Sequence, residues 1–313
     1  MNILENQQLA EPVDGIYIDL EAQILQNIAR HLQGWEQPID TDRWLMQKLA
    51  EIGKLNQENI RLIAKMSGLS QTATERMLNE AAQDAIDNME PGLRYMARRG
   101  LAEETVQADK SKNVKRVVHS FRKQAKDTLN MCNTVMLYKA SEKYKGLVSN
   151  IAQEAWNILN SGAGGVVSGV ESRQQAVRRC IRQLNDKGIP AFVDKRGREW
   201  TPEAYVNMAM RNTARSTAEE VQDARIRDAG CHLIQIDSHS GARPKCAKDQ
   251  GKIFDLNNGS GYTEDLYGKK IQYYPWNSSS YGEPDGILGI NCRHHSFSHG
   301  SGSICTDILC GAA

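Results

Sequence analysis

Apolar side chains recur every three or four positions along the first half of the chain, and this spacing places them on one face of a helix. The pattern is clear over residues 17–32 and again over residues 44–55, so each stretch predicts an amphipathic helix. The longest run extends from Val114 to Met136, and no helix breaker follows it before Gly146. We therefore expect one long helix there and a helical first domain.

A further helix is predicted from signals at its two ends. Thr72 and Glu75 have capping-box spacing, in which each side chain bonds a free backbone N–H at the start of a helix. Pro91 and Gly92 are residue types that stop helices. The sequence thus predicts a helix that begins near Thr72 and ends before Pro91.

The domain boundary is predicted at a glycine-rich stretch. Residues 161–165 read Ser-Gly-Ala-Gly-Gly, and glycine restricts the backbone least. A P-loop would be followed by a Lys-Ser or Lys-Thr pair, which this stretch lacks, so a hinge is favoured over a phosphate cradle. We expect a helical domain over residues 1–161 and an α+β domain over residues 162–313.

The second domain is predicted to mix short elements. These are a short helix around residues 177–184, a β-hairpin at 191–200, a helix from Thr201 to Gly230 and a strand within 232–237. The remainder is rich in loops. The predicted fold class is therefore mainly α, with long amphipathic helices and a smaller α+β C-terminal domain that has a short hairpin and a loop-rich end.

Composition excludes some classes of protein. The 313 residues carry 39 basic and 38 acidic side chains, which argues against a generally cationic nucleic-acid coat. No stretch has about 20 consecutive apolar residues, and the polar first residues do not have the pattern of a secretory signal. We expect neither membrane insertion nor secretion. Seven cysteines is an odd number, which favours reduced thiols in the cytoplasm.

The last third of the chain concentrates residues that can bind a metal. His239 and Cys246 follow the predicted strand, and Cys292 and His294 lie in a later loop. Thiolates and imidazoles from two loops are ligands of tetrahedral zinc sites, so a structural zinc site is one interpretation. The Cys-x2-Cys spacing of the securest zinc motifs is missing, so packing of the thiols and hydrogen bonding of the imidazoles is the other.

Three short motifs occur in this region in a fixed order. They read Ser-His-x-Gly-Ala-Arg-Pro at 238–244, Gln-Gly-Lys-Ile-Phe at 250–254 and Asn-Cys-Arg-His at 291–294. In these motifs the chain resembles the phage minor capsid proteins of the minor capsid 2 type, which are related to the Mu F-like head-morphogenesis proteins. The residues that carry the resemblance are Ser238, His239, Gly241, Arg243, Pro244, Gly251, Asn291, Cys292, Arg293 and His294.

The resemblance implies a structural protein of a tailed phage, made in the host cytoplasm and incorporated in the virion head. Such a protein is expected to bind the portal, the major capsid protein or the inner capsid during assembly. The chain departs from the family at Cys246, where the resemblance leads us to expect histidine, another metal-binding side chain. It also departs after Phe297, where a charged helix is expected and a glycine- and serine-rich tail follows instead.

A metal-dependent hydrolase or nuclease, or a phage-encoded effector acting on nucleic acid, is the alternative from another class. His294, His295 and Asp237 are residue types that such enzymes place around a metal, and Arg243 would hold a phosphate. Cys246, with lysines nearby, is a weaker candidate nucleophile. No acidic pair or Ser-His-Asp set occurs at a recognised spacing, so we expect a non-enzyme.

One basic run lies on the predicted long helix. Lys112, Arg116 and Lys123 fall roughly on one side of it, opposite the apolar face. Two interpretations stay open: a sequence-independent contact with the phosphates of packaged DNA, or a solvated helix face.

The loop-rich end also carries a group of aromatic side chains, which form either a contact surface for a partner or part of a small core. They are Tyr273, Tyr274, Trp276 and Tyr281.

Overall fold

The computed structural model describes residues 3–33, 41–98, 100, 102–160, 175–182, 188–189, 192–193, 197–264, 269–289 and 292–299. Several predicted features lie outside these residues: the hinge at 161–165 with the boundary after residue 161, the motif residue Asn291, and the tail after residue 299. The two predicted domains therefore stay a prediction.

Helices form most of the described chain. They are α1 (Ile3–Leu32), α2 (Thr41–Ala50), α3 (Ile52–Arg98), α4 (Lys112–Asn160), α5 (175–182), α6 (Pro202–Asp228) and the one-turn α7 (Pro244–Ala247). Short 3-10 turns occur at Ala108–Lys110 and Trp276–Ser278. Within the described ranges, none of the helices is both long enough and apolar enough to cross a membrane.

The strands form a hairpin and a small mixed sheet. They are β1 (Phe192–Val193), β2 (Glu199–Trp200), β3 (Leu233–Ile236), β4 (Ile253–Asp255), β5 (Gly261–Glu264), β6 (Lys270–Pro275) and β7 (Ser296–Ser298). β1 and β2 pair antiparallel, and the second sheet has the order β5-β6-β4-β3-β7. The β4–β6 pair is parallel, and the other pairs of this sheet are antiparallel.

The predicted mainly α fold with a smaller α+β part is confirmed, as are the hairpin, the strand after Gly230 and the helix that opens at Thr201. The Thr201 hydroxyl accepts the N–H of Ala204 at 3.4 Å, which caps the start of α6. Gly230, at φ 68°, ends it in the left-handed conformation, and the N–H of Cys231 bonds back to the Ile226 carbonyl at 3.0 Å.

Two helix predictions in the first half are wrong: a helix start at Thr72 and a single helix over residues 44–55. Thr72 lies inside α3, and its hydroxyl donates to the Gly68 carbonyl at 3.0 Å, the back-bond of a threonine within a helix. The predicted single helix over residues 44–55 is divided between α2 and α3. At this junction Glu51 donates its N–H to the carbonyls of both Gln47 and Lys48, at 3.2 Å each.

The predicted helix end before Pro91 is also wrong, because α3 continues through it, and α4 likewise continues through Gly146. Beyond the proline, Leu93 is buried in a cluster with Ala229, so packing retains the helix although one N–H is lost. Val148, beyond the glycine, is fully buried as well. Burial of the next apolar turn outweighs the local cost of each breaker.

The chain folds into two compact units, each made from separate stretches. The first, called the helical unit, comprises residues 10–75 and 124–210. One face of α1 is buried there, with no side chain above 2% exposed: Val13, Tyr17, Leu20, Ile24, Ile28 and Leu32. Lys48 is only 1% exposed, and its Nζ donates to the carbonyls of His31 at 2.6 Å and Gln33 at 3.1 Å. It thereby gives hydrogen-bond donors to carbonyls at the C-terminal end of α1.

The second, called the mixed unit, comprises residues 1–9, 76–123 and 211–313 and contains the β3–β7 sheet. A fully buried arginine, Arg225 on α6, joins its elements. The guanidinium donates to Glu90 on α3 at 2.8 Å, to Thr105 at 2.8 Å and to Asp228 at 3.1 Å. Asp228 also accepts the hydroxyl of Ser111, the residue before α4, at 2.6 Å.

Candidate metal centre

The register of the mixed sheet brings two of the motif segments together. β3 and β7 are antiparallel, with Ile236 opposite Ser296. The pairing continues one residue further, where the N–H of Asp237 donates to the His295 carbonyl at 3.0 Å and the Asp237 carboxylate accepts the His295 N–H at 2.8 Å. The loop after β3 therefore lies beside the loop before β7.

Three buried side chains from these loops converge. Cys246 lies in α7, which Pro244 starts at its first helical position. The Sγ atoms of Cys246 and Cys292 are 3.8 Å apart, and Cys292 Sγ is 3.3 Å from His294 Nδ1. All three ligand atoms lie within 4.8 Å of one another, and in the described part of the chain no other group of three or more His, Cys, Asp or Glu side chains converges in this way.

His239, the fourth predicted ligand, lies directly beside this cluster. Its ring centroid is 4.1 Å from that of His294. His239 Nδ1 is 2.9 Å from the Ser240 carbonyl, so this nitrogen carries the proton. Nε2 of His239 is buried, and it has no hydrogen-bond partner among the described residues. A buried imidazole nitrogen with a free lone pair is a group that a ligand would satisfy.

Gln250 orients both histidine segments. Its Oε1 accepts the N–H of His294 Nε2 at 3.1 Å and the backbone N–H of His239 at 3.3 Å. Because the backbone N–H of His239 can only donate, the atom between the two neighbours is the amide oxygen. His294 Nε2 must then donate to it as well, which leaves the lone pair of His294 on Nδ1, towards Cys292. Arg215 on α6 supports the same loop by donating to the His294 carbonyl at 2.7 Å.

The loop that precedes Cys292 is held by a buried carboxylate. Asp249 accepts the hydroxyl of Ser280 at 2.6 Å and its N–H at 2.9 Å, and the Ser280 oxygen accepts the N–H of Ile287 at 2.9 Å. Gly286 passes so close that a Cβ added there would lie 1.8 Å from the Ser280 carbonyl oxygen. The position therefore excludes every residue with a side chain.

Burial sets the protonation states of the cluster. It lowers the pKa of His294 to about 4, and the neighbouring His239, Arg215 and Arg243 act in the same direction. It raises the pKa of the Cys246 thiol, to which the adjacent Cys292 contributes. At neutral pH His294 is thus an uncharged imidazole with an available lone pair, the form that binds metals.

The alternative enzyme site is not assembled in this way. The Asp237 carboxylate accepts a hydrogen bond from the backbone N–H of His295, and burial raises the pKa of Asp237. Neither Asp237 nor His295 belongs to the converging cluster. Arg243 is the residue before α7, where its carbonyl accepts the N–H of Ala247 at 2.8 Å.

The remaining motif residues shape or flank the two loops. The N–H of Gly251 donates to the Ile236 carbonyl at 3.0 Å, and Gly241 turns the chain at φ 78°. Ser238 and Arg293 are exposed. The motifs named these residues, but they gave no sign that Gln250, Asp249 and Gly286 position the cluster, because hydrogen bonds and close approaches across a loop leave no periodic pattern.

The basic and aromatic groups differ in burial. Lys112, Arg116 and Lys123 are all exposed on α4. The aromatic group divides: Tyr274 and Trp276 pack against the sheet core, with the Trp276 ring 5.4 Å from that of Phe254. Tyr281, 40% exposed, stacks on Trp276 at 4.8 Å and donates its hydroxyl to Glu220. Two of the four aromatic side chains therefore pack against the core.

Long packed helices and a small mixed sheet with a buried Cys/His cluster in its loops define a mainly helical protein with an α+β end. The family model of phage minor capsid protein 2 matches residues 4–304. The chain belongs to this family and is a structural protein of the phage virion. The resemblance found in the motifs is thereby confirmed.

A curated relative agrees with this assignment. The chain is 26% identical over 264 residues to a "Structural protein" of Lactococcus phage LL-H. The match covers 83% of this chain and 66% of the relative, so the chain spans just under two thirds of that protein's length. No solved structure matches the chain.

Proposed function

We propose that this protein is a minor head protein that binds the portal or the inner face of the major capsid shell during head assembly. The observation that carries the proposal is the family match, which extends over both compact units. The description of the phage relative as a structural protein supports it. Its role is lasting contact with other head proteins and not turnover.

The helical unit exposes an apolar stripe of the kind that packs against a partner helix. Met131, Val135 and Tyr138 have the i, i+4 and i+7 spacing that places side chains on one side of α4. Met131 is 44% and Tyr138 60% exposed, whereas Met136 and Ala140, on the other side of the helix, are fully buried. The stripe is the part of this unit that we assign to a head partner.

Particle incorporation tests this assignment. Wild-type protein should copurify with intact heads at low copy number, and M131S/Y138S should be depleted at least about tenfold, as expected when apolar interface anchors are removed. M46S/I60S is the matched control, since it removes two other exposed apolar side chains of the same unit. Absence of the wild type from purified particles would contradict the proposal, and equal incorporation of both variants would exclude the stripe.

Lack of catalysis is tested separately. We expect no cleavage of DNA or peptide by the purified protein with divalent metals. Metal-stimulated cleavage that His294→Ala abolishes would favour the metal-dependent hydrolase instead.

Contact with DNA is a second candidate activity, favoured by one observation. At about 100° per residue, Lys112, Arg116 and Lys123 lie within about 40° of one another around the axis of α4. All are exposed, and no ion pair to a carboxylate joins them within the described residues. Such a line of charge suits phosphates without reading sequence, although a solvated face has the same geometry.

The salt dependence of DNA binding separates these two interpretations. Replacing the three residues by glutamine should reduce the slope of log K against log salt by about one unit for each phosphate that the variant no longer neutralises. K54Q/R61Q/K65Q is the matched control, because Lys54, Arg61 and Lys65 are also exposed and have the same two spacings in reverse order on α3. Equal binding by both triple variants and the wild type would leave the face merely solvated.

A further inference from the structure

We infer that His239, Cys246, Cys292 and His294 form a structural zinc site that fastens the loop after β3 to the loop before β7. The inference is independent of the proposed head partner, because it concerns the internal construction of the mixed unit. It depends on the distances between the ligand atoms, the tautomers of the two histidines and the groups that hold these residues in place.

Two separations among Cys246, Cys292 and His294 are close to those of a tetrahedral site. His239, which lies beside these three ligands, would have to move its Nε2 towards them to complete it. With Zn–S bonds of about 2.3 Å and Zn–N bonds of about 2.0 Å, two sulfurs are separated by about 3.8 Å, and sulfur and nitrogen by about 3.5 Å. The observed separations are 3.8 Å between Cys246 and Cys292 and 3.3 Å between Cys292 Sγ and His294 Nδ1. A disulfide would require about 2.0 Å between the sulfurs.

Both histidines keep a metal-binding nitrogen free of a proton. Donation from His294 Nε2 to Gln250 leaves Nδ1 as the ligand, and donation from His239 Nδ1 to the Ser240 carbonyl leaves Nε2. This is the arrangement of zinc ligands, whose second nitrogen is oriented by an oxygen acceptor. The otherwise unexplained buried Nε2 of His239 thereby gains a partner.

A backbone N–H group is also placed where it can stabilise a thiolate. The N–H of Leu288 points to Cys292 Sγ at 3.3 Å, and donors of this kind stabilise a negative sulfur. Binding of Zn²⁺ replaces the two thiol protons of Cys246 and Cys292 and requires no oxidant. The metal would then join residues that are 46 positions apart in the chain, where the sheet supplies only the short β3–β7 pairing.

The first test measures metal content in full-length protein purified without chelator. We expect about one zinc per chain in the wild type and its loss in Cys292→Ser and His294→Ala. Cys231→Ser is the matched control and should keep the zinc, since the Cys231 thiol contacts the Ala229 carbonyl and does not belong to the cluster. Zinc-free wild type that fails to take up added Zn²⁺, or equal loss of zinc in the control, would overturn the site.

A second test does not depend on the folding of ligand variants. Wild type stripped by chelator should bind Co²⁺ with a tetrahedral thiolate spectrum and release about two protons per chain if both thiols were protonated before metal was added. Zn²⁺ should then displace the Co²⁺ without further proton release. Gln250→Leu should weaken zinc affinity by about 10- to 100-fold, and Gln272→Leu, on the exposed side of β6, should not. His239→Ala should weaken it at least as much as Gln250→Leu. A Cys246–Cys292 disulfide in freshly purified protein, or unchanged affinity in His239→Ala, would overturn the four-ligand assignment.

Discussion

The helical unit and the mixed unit are stabilised in different ways. In the helical unit, the buried face of α1 is apolar along six positions from Val13 to Leu32, and polar groups such as Lys48 satisfy helix ends. In the mixed unit, the core beside the sheet is small and includes Cys246 and Cys292. Its loops are held by side chains that bond the backbone, such as Asp249.

The difference shows what each kind of sequence information can predict. An apolar face repeats along a helix and is visible in the sequence, whereas a hydrogen bond between Asp249 and Ser280 joins residues 31 positions apart and leaves no pattern. The mixed unit should therefore be sensitive to single polar substitutions, and the helical unit to the loss of apolar volume.

The largest effect is expected at the buried arginine of the mixed unit. Arg225→Ala should reduce the free energy of unfolding by about 3–5 kcal/mol, because the carboxylates of Glu90 and Asp228 lose the fully buried guanidinium that pairs with both of them. Arg94→Ala is the matched control: Arg94 also pairs with Glu90, but its side chain is 73% exposed. The control should cost less than about 1 kcal/mol in denaturant unfolding. Equal costs would mean that the Arg225 network contributes little.

The next effect is expected in the loop before Cys292. Asp249→Ala should cost about 1–3 kcal/mol, because the N–H and the hydroxyl of buried Ser280 lose their acceptor. Asp249→Asn keeps an oxygen at the position of Oδ2, to which both bonds run, and should cost less. Thermal unfolding of the two variants measures the difference, and an alanine variant as stable as the asparagine variant would contradict the role of these bonds.

A pH effect is expected from α6. Burial raises the pKa of Asp223 from its ordinary value of 3.8 to about 7, and Glu220 adds to the shift while Arg227 and Ser296 oppose it. The folded state then holds a proton that the unfolded chain has released, so the free energy of unfolding falls as pH rises through this range. Asp223→Asn should remove on the order of 2 kcal/mol of the loss between pH 5 and pH 8.

The stability of each protein, wild type and Asp223→Asn, is measured at both pH values, so that the change with pH in one protein is compared with the change with pH in the other. The wild type also contains Glu219, whose pKa burial raises to about 7, so part of its pH dependence should persist in the variant. A difference between the two proteins that is the same at pH 5 and pH 8 would contradict the assignment to Asp223.

The smallest effect tests the apolar core of the helical unit. Ile24→Val should cost about 0.5–1.5 kcal/mol, because a methyl group is removed from a fully buried side chain. Ile18→Val removes the same group from a side chain that is 53% exposed on the same helix and should change stability by less than about 0.5 kcal/mol. Indistinguishable midpoints in denaturant would mean that the α1 face is not tightly packed.

Sequence reasoning predicted the parts of the fold that have a periodic apolar pattern or a local turn or capping signal. It found the buried face of α1, the long α4, the β1–β2 hairpin and the cap at Thr201. It failed where packing overrides a local signal: Thr72 satisfies its hydroxyl inside α3, and burial of Leu93 carries the helix past Pro91.

For the candidate site, the sequence supplied the residue types but not their arrangement. The sequence offers Cys246, Cys292 and His294 as candidate metal ligands, with packing and hydrogen bonding as the alternative, and the β3–β7 register brings them together. Gln250 could not be assigned a role, because it acts through its bonds to two segments that meet only in the folded chain. The close approach at Gly286 is equally a property of the fold.

Hydrogen exchange with and without the proposed zinc tests the contrast between the two units most directly. Removing the metal from wild-type protein should speed exchange in peptides that cover residues 233–256 and 280–299, while peptides from residues 10–33 and 124–157 of the helical unit stay as protected as before. Exchange that is unchanged everywhere, or that rises equally in both units, would contradict the account in which a metal-held loop cluster and an apolar helical core are stabilised independently.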